Sequence, residues 1–333
     1  MQLPEDPRKI VVFAHWDADG IASAVMFAEF LSWKYRIPAE KVRVVFPAHG
    51  RISIIDYVED LPRDFCVVCL DLALAEKELE KLERKFSSII FIDHHRNVDK
   101  PYAITDSSCK SNAELVYKLL REEGYEPRKL LLQVGMLGDM GEVKPEDPLL
   151  LGKLHDTQKS VLEDVVTLIN SDYRARWDAR TAFQALLRLE PLDLVFARHP
   201  LAQRLHEARK AVNDELRELR RKLRIIDYDM ILYTEISSRL YIQGLLATVL
   251  MLEHGKPVLC VNRLGAACYA ELRARQPEID FGSLFFELAQ RLGIEAGGHR
   301  DAAGAYYHVR EADRFLRELL RLVGHEAKGE TSG

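Results

Sequence analysis

The sequence predicts an α/β protein: an N-terminal domain built on a mainly parallel sheet, a helical connecting segment, and a smaller second α/β domain. Three observations carry this. Short runs of β-rich composition alternate with helical stretches. The runs are apolar almost throughout, as in strands buried on both faces. Several of them end in carboxylates and imidazoles, and open α/β sheets gather their functional groups just beyond the carboxyl ends of the strands.

In chain order, residues 9–15, 42–47, 65–70 and 88–92 read as strands, and 20–35, 74–86, 112–123 and about 127–138 read as helices. From about 146 to 200 the pattern is helical and irregular, punctuated by Pro145, Pro148, Pro191 and Pro200. Residues 201–224 form one long charged helix. Leu205, Val212, Leu216, Leu219 and Leu223 share one seam of it, which suits a packed connecting helix and is compatible with contact to a second copy. Strand signals return in DMILYTE, PVLCVNRL, AACYAELRA and AYYHV, with helices at 242–253, 281–292 and 311–323. The tail HEAKGETSG should fray. The domain boundaries follow: 1–145, a connecting segment 146–225, 226–325, and a flexible tail 326–333.

A chain of 333 residues has room for two domains and a substantial core. Its net charge of −5 is mild and does not argue against nucleic-acid binding, since clustered carboxylates account for several negatives. There is no apolar run near 20 residues, hence no membrane span, and MQLPEDPRKI has no signal-peptide core. The five cysteines form no disulfide framework, which reads as a reduced, cytoplasmic protein. Cys66 and Cys69 sit three apart in a strand, on opposite faces, and read as small buried hydrophobes rather than a metal pair.

The chemistry is concentrated at strand ends. VVFAHWDADG (11–20) supplies His15, Asp17 and Asp19. CVVCLDLA (66–73) supplies Asp71, IIFIDHHRN (89–97) supplies Asp93, His94 and His95, and VGMLGDMGE supplies Asp139. A single Asp after a strand is ordinarily a cap or turn former. So many carboxylates at one end of a sheet would repel one another, and a cation makes the crowding favourable. Hard oxygens with a few imidazoles suit two divalent cations about 3.5–4 Å apart, the arrangement of in-line phosphoryl chemistry. Such a set favours Mn²⁺ or Mg²⁺ over Zn²⁺.

In the second domain, AGGHRDAAG offers glycines whose N–H groups can make an anion-binding nest beside His299. Arg273 and Arg275 alternate along the strand AELRAR, so both would point to one face and could fork onto phosphate oxygens.

These residues resemble the DHH phosphoesterase superfamily, and within it the archaeal RecJ-like exonucleases. The resemblance rests on five motifs in order: His15-Trp16-Asp17-Ala18-Asp19-Gly20, Asp71, Asp93-His94-His95, Asp139, and Gly297-Gly298-His299-Arg300-Asp301-Ala302-Ala303-Gly304. The last resembles the GGGHxxAAG signature of the accessory DHHA1 domain. Two positions depart from the pattern: Ala296 replaces the first glycine of the triplet, and Met140 follows Asp139 where Thr is common.

The resemblance implies an active site in a cleft between two domains and two divalent cations, Mn²⁺ preferred and Mg²⁺ possible. His15, Asp17 and Asp71 would hold one cation. Asp19, Asp71, His94 and Asp139 would hold the other, and an activated hydroxide would attack the phosphorus in line. His95 would meet the scissile phosphate or leaving oxygen, with Asp93 orienting the histidines. Arg273 and His299 would hold substrate phosphates, with Gly297, Gly298, Arg275 and Arg300 beside them. The implied activity is digestion of single-stranded DNA or RNA, in the 3′→5′ direction because the OB-type domain of long bacterial relatives is not seen. Arg204, Arg209, Arg220, Arg221 and Arg224 on the connecting helix could extend the strand's track. Implied partners are single-stranded nucleic acid and a repair or replication protein such as a helicase. The alternatives are a nanoRNase, a 3′,5′-bisphosphate nucleotidase, a cyclic-dinucleotide phosphodiesterase, or a replication scaffold that has lost catalysis. A family II pyrophosphatase would share the first four motifs without the glycine–histidine motif.

Overall fold

The computed structural model describes residues 1–48, 54–74, 76–95, 97–140 and 156–329, the side chains of 140, 156, 157 and 325–329 excepted. The expected boundary at 145/146, with Pro145 and Pro148, lies outside them. Two compact units divide within the long connecting helix, at Lys210 and Ala211.

The first unit holds a five-stranded sheet in the order β2-β1-β3-β4-β5. The strands are β1 (Ile10–Ala14), β2 (Arg43–Val45), β3 (Cys66–Leu70), β4 (Ser88–Asp93) and β5 (Ala103–Thr105). Every pairing is parallel. All five residues of β1 and of β3 are buried, which explains their unbroken apolar sequence. Val11, Phe13, Val67 and Cys69 pack with Leu79 and Leu82 on one face, while Cys66 falls on the other.

Around this sheet run α1 (Ala18–Tyr35), α2 (Ile54–Tyr57), α3 (Glu76–Lys85), α4 (Asn112–Glu122) and α5 (Lys129–Met140). They are followed by α6 (Asp156–Arg176), α7 (Arg180–Arg188), α8 (Pro191–Val195) and α9 (Pro200–Lys222). From β1 the chain passes to β2 on one side and then to β3 on the other. The crevice beyond β1 and β3 is therefore the topological switch point of the sheet, where α/β proteins place their ligands. On α9, Leu205 and Val212 are buried and Leu216 and Leu219 partly buried, while Leu223, also partly buried, falls just past the helix end, which comes at Lys222 rather than 224.

The second unit is a six-stranded sheet in the order β10-β11-β9-β8-β7-β6. Its strands are β6 (Ile225–Asp227), β7 (Leu232–Ile236), β8 (Val258–Leu264), β9 (Ala267–Arg273), β10 (Glu295–Gly298) and β11 (Ala302–His308). Only β7 and β8 pair in parallel. The helices are α10 (Gln243–His254), α11 (Phe281–Leu292) and α12 (Ala312–Gly329). Phe281, Phe285 and Leu288 of α11 and Phe315 and Leu319 of α12 share one core with Leu259, Leu272 and Tyr307. α12 continues to Gly329, into the segment expected to fray.

Three short edge or near-edge strands, β5, β6 and β10, were not anticipated. Each has three or four residues and acquires its conformation by pairing with a neighbour rather than from its own pattern. No helix among the described residues is long and apolar enough to cross a membrane.

Candidate metal centre

The residues beyond β1, β3 and β4 come together with the last turn of α5. Asp17 caps α1, accepting the Gly20 N–H at 3.0 Å, and Asp19 sits in that helix's first turn. Gly20 is required here: a Cβ would lie 2.4 Å from the His15 carbonyl oxygen. Trp16 turns the other way and stacks on Tyr173 of α6, with ring centroids 4.5 Å apart. The HWD sequence thereby anchors by its middle residue and leaves its outer two for the site.

His15 Nδ1 is 3.0 Å from Asp17 Oδ2 and 3.9 Å from Asp71 Oδ2. His94 Nε2 is 3.6 Å from Asp71 Oδ1, 3.6 Å from Asp139 Oδ2 and 3.9 Å from Asp19 Oδ2. His95 Nδ1 is 3.2 Å from Asp93 Oδ1 and 3.8 Å from Asp71 Oδ1, and its N–H donates to Asp93 Oδ1 at 2.8 Å. Three sets thus have their donor atoms within 4.8 Å of one another: His15, Asp17 and Asp71; Asp19, His94 and Asp139; and Asp71, Asp93 and His95.

The placement of Asp71 is unusual. Its φ is 58°, a left-handed conformation that Asp tolerates better than most residues. Its N–H donates to the Ile92 carbonyl at 3.1 Å. Asn112, fully buried at the start of α4, braces the same point. In the amide orientation that satisfies its neighbours, its nitrogen donates to Ile92 O at 3.1 Å. Its oxygen accepts from Asp71 N at 3.2 Å and from Ser23 Oγ at 3.1 Å. The Asn112 and Ala113 N–H groups also donate to the two oxygens of Asp19, at 2.7 and 2.8 Å. Asp19 is thus held by the open N-terminus of α4. α5 comes close because Gly135 has no Cβ, which would lie 2.8 Å from Asp19 Oδ1.

Asn112, Ser23 and Gly135 escaped sequence reasoning. The Ser111–Glu114 capping pattern, with the Glu114 N–H on Ser111 Oγ at 3.1 Å, was a legible signal for where α4 starts. It carried no hint of what the helix end would hold.

Burial pushes the Asp19 carboxyl well above the ordinary range, reinforced by the charges of Asp139 and Asp17. Burial likewise raises Asp71, with Asp19, Asp17, Asp139 and Asp93 adding repulsion. For Asp17 burial is opposed and outweighed by His15, which holds the carboxyl low. Burial disfavours the His95 cation, yet its hydrogen bond with Asp93 raises its pKa on balance. Asp71 Oδ1 is buried and accepts no hydrogen bond among the described residues. A crowd of buried carboxylates with an unsatisfied oxygen is costly unless cations neutralise it. The hard oxygen and imidazole donors fit divalent metal ions.

The second-unit candidates are placed differently from one another. Arg273 ends β9, its Nη1 paired with Glu271 Oε2 at 2.8 Å. Arg275 lies beyond the strand, exposed, so alternation along β9 does not align it with Arg273. Gly297 and Gly298 belong to β10 rather than to a free loop, and pair with Gly304 and Ala303. The His299 N–H donates to the Ala302 carbonyl at 2.8 Å, closing a hairpin where a nest of open N–H groups was expected. Only Gly298 of the pair has a positive φ, 140°. Arg300 donates to the carbonyls of Pro277 and Glu278 at 3.2 and 2.9 Å.

Sheet and site define a DHH phosphoesterase fold. Residues 9–138 match the DHH family, N-terminal domain. No curated protein matches the sequence. Among solved structures, the chain is similar to RecJ in complex with Mn²⁺ from Thermus thermophilus, with a TM-score of 0.63 and 16% identity over 95% of this chain. It spans about half, 52%, of that protein's chain. It is also similar to an exonuclease RecJ bound to manganese, with a TM-score of 0.60 and 16% identity over 97% of this chain and 95% of the other. A pGpG-specific phosphodiesterase from Vibrio cholerae gives a TM-score of 0.50 at 13% identity, over 95% of this chain and 99% of the other.

Proposed function

We propose that this protein is a metal-dependent phosphodiesterase that removes nucleotides from single-stranded nucleic acid, as a RecJ-like exonuclease. The observation that carries the reading is the division of the Asp71 carboxylate. One oxygen faces His15 and the other faces His94 and His95. A carboxylate so placed suits a bridge between two cations. His15, Asp17 and Asp71 would hold one, and Asp19, Asp71, His94 and Asp139 the other, with Mn²⁺ preferred and Mg²⁺ possible. When bound, the cations supply Lewis acidity toward a phosphate and a source of nucleophile at neutral pH.

The chain's own groups do the positioning. α4 fixes Asp19 through two backbone N–H groups, and Asn112 holds the backbone of Asp71. Asp93 fixes the His95 ring through Nδ1, and His95 would meet a phosphate or leaving oxygen. In the second unit Arg273 and His299 would hold substrate phosphates, with Arg275, Arg300 and the backbone of Gly297 and Gly298 secondary. We assign catalysis to 1–145, connection to 146–225 and substrate binding to 226–325, with 326–333 as a tail.

A second reading, hydrolysis of short oligonucleotides, is favoured by the similarity to the pGpG-specific enzyme along nearly its whole chain. Digestion of end-labelled DNA and RNA of several lengths with Mn²⁺ separates the two. Stepwise shortening of long strands, expected from the 3′ end, supports the exonuclease. Cleavage confined to dinucleotides and trinucleotides supports the second reading. Metal-loaded protein that cleaves nothing would sink both.

A further inference from the structure

We infer that Glu271 makes the Arg273 phosphate contact selective for internal phosphodiesters over terminal phosphates. This rests on the proposed role of Arg273 and adds a substrate preference to it. Glu271 and Arg273 are two apart on β9 and so share one face. Arg273 Nη1 bonds Glu271 Oε2 at 2.8 Å and the Leu272 carbonyl at 2.9 Å. The other carboxylate oxygen, Oε1, accepts the Tyr241 hydroxyl at 2.7 Å. Tyr241 and Glu271 are both nearly buried, at 5% and 9% exposure, so this acid cannot swing out to solvent without breaking its partners.

One glycine makes room for the arrangement, and a second lines it. Gly304 faces Glu271 across the β9–β11 ladder, where a Cβ would sit in ordinary contact, 3.5 Å from the carboxylate. Gly244, in the first turn of α10, lies where a Cβ would come within 3.0 Å of Arg273 Nη2 and 3.4 Å of Glu271 Oε2.

The consequence is electrostatic. An arginine alone would attract a terminal phosphate, with nearly two negative charges at neutral pH, more strongly than a diester, with one. A fixed carboxylate bonded to the same guanidinium cancels most of that advantage, because the second charge of a terminal phosphate meets Glu271 at short range in a half-buried setting. The arginine keeps Nε and Nη2 for a singly charged phosphate. An exonuclease acting on a strand, whose phosphates near the scissile bond are diesters, needs this preference.

The test compares dinucleotides and trinucleotides that carry or lack a terminal phosphate at the 5′ or 3′ end. Two readouts are taken: kcat/KM with Mn²⁺-loaded protein, and equilibrium binding in EDTA. Wild-type protein should prefer the unphosphorylated forms or treat both alike. Glu271→Gln, which keeps an acceptor for Tyr241, should shift the ratio toward phosphorylated forms by roughly tenfold, the scale of one unit charge at this range. Tyr241→Phe, which keeps the charge, should leave the ratio within about twofold of wild type by the same reasoning. If Glu271→Gln does not fold, Glu271→Ala carries the same test. An unchanged ratio in folded Glu271 variants, with both substrates weakened alike, would mean that Glu271 only orients Arg273 and would overturn the inference. A shifted binding ratio without any cleavage would uphold it and overturn the catalytic reading instead.

Discussion

Asp71 Oδ1 lies 3.6 Å from His94 Nε2, while the other Asp71 oxygen faces His15 at 3.9 Å. One carboxylate thus stands between two groups of donors drawn from different strands. Replacing it tests the centre directly. The φ of 58° makes Asp71→Asn the proper variant, since Asn tolerates that backbone and Ala is strained by it. Asp71→Asn should bind fewer Mn²⁺ ions by elemental analysis and lose activity by roughly 10³-fold or more, as for a group acting in the transition state. Wild-type turnover in protein stripped with EDTA would contradict a metal centre altogether.

The two adjacent histidines should separate by experiment. His94 reaches three carboxylates, whereas His95 leans on Asp93. His94→Ala should lower metal occupancy. His95→Ala should keep both cations in the same assay yet lose about 10²-fold or more in kcat. A metal deficit in the His95 variant would reverse these assignments.

Acidity supplies a third expectation, for protein without metal. Burial raises the Asp19 and Asp71 carboxyls above the ordinary 3.8 in the folded state. The folded chain then holds protons that the unfolded chain has released, so folding takes up protons. Stability from these two groups is present below the ordinary carboxylate value and is lost as pH rises through the raised folded values. The melting temperature of metal-free wild type should fall relative to that of Asp71→Asn as pH increases above about 4. Added Mn²⁺, which needs the ionised carboxylates, should raise it by more at higher pH. A wild-type-to-variant difference that does not change with pH would refute this.

The carboxylates and histidines that follow β1, β3 and β4 were legible because a polar residue after a buried strand has one place to be, the strand's carboxyl end, whereas Asp139 ends α5 and was legible only through the order of the motifs. Asn112 was not legible, because its role exists only where α1, β3, β4 and α4 meet. Arg275 was misplaced because the chain bends after Arg273, with Gln276 at a φ of 46°, and alternation holds only while the strand continues. Gly297 and Gly298 looked like a loop because glycines carry no strand pattern, and β11 supplies it by pairing.

The hidden brace can be tested as well. Asn112→Ala leaves Asp71 N its bond to Ile92 O but removes the amide that links both to Ser23. It should cost about 1–3 kcal/mol of stability. Because the backbone of Asp71 loses one of its two partners, Mn²⁺ affinity should also fall by roughly tenfold or more, the usual effect of losing a residue that orients a ligand. A stability loss with Mn²⁺ affinity unchanged by titration would limit Asn112 to packing.

Length dependence gives the last prediction. Removing Arg273 should weaken every substrate and lower the salt dependence by about one phosphate's worth, since a phosphate contact reads no base. Arginines on α9 should matter only for strands long enough to reach them. The structure ranks those candidates. Arg209 pairs with Asp164, Arg221 with Glu218, and Arg220 with Glu253, so a neighbouring carboxylate partly offsets each of these charges. Arg204 on α9, and Arg224 two residues beyond the helix end, are exposed and make no ion pair among the described residues. Arg204→Gln and Arg224→Gln together should slow digestion of strands of about 20 nucleotides, a length that spans several contacts, and leave dinucleotides unaffected. The same changes at Arg209 and Arg221 should do less. If dinucleotides are cleaved as fast as long strands, and neither pair of variants alters either rate, the track along α9 does not exist and short oligonucleotides are the substrate.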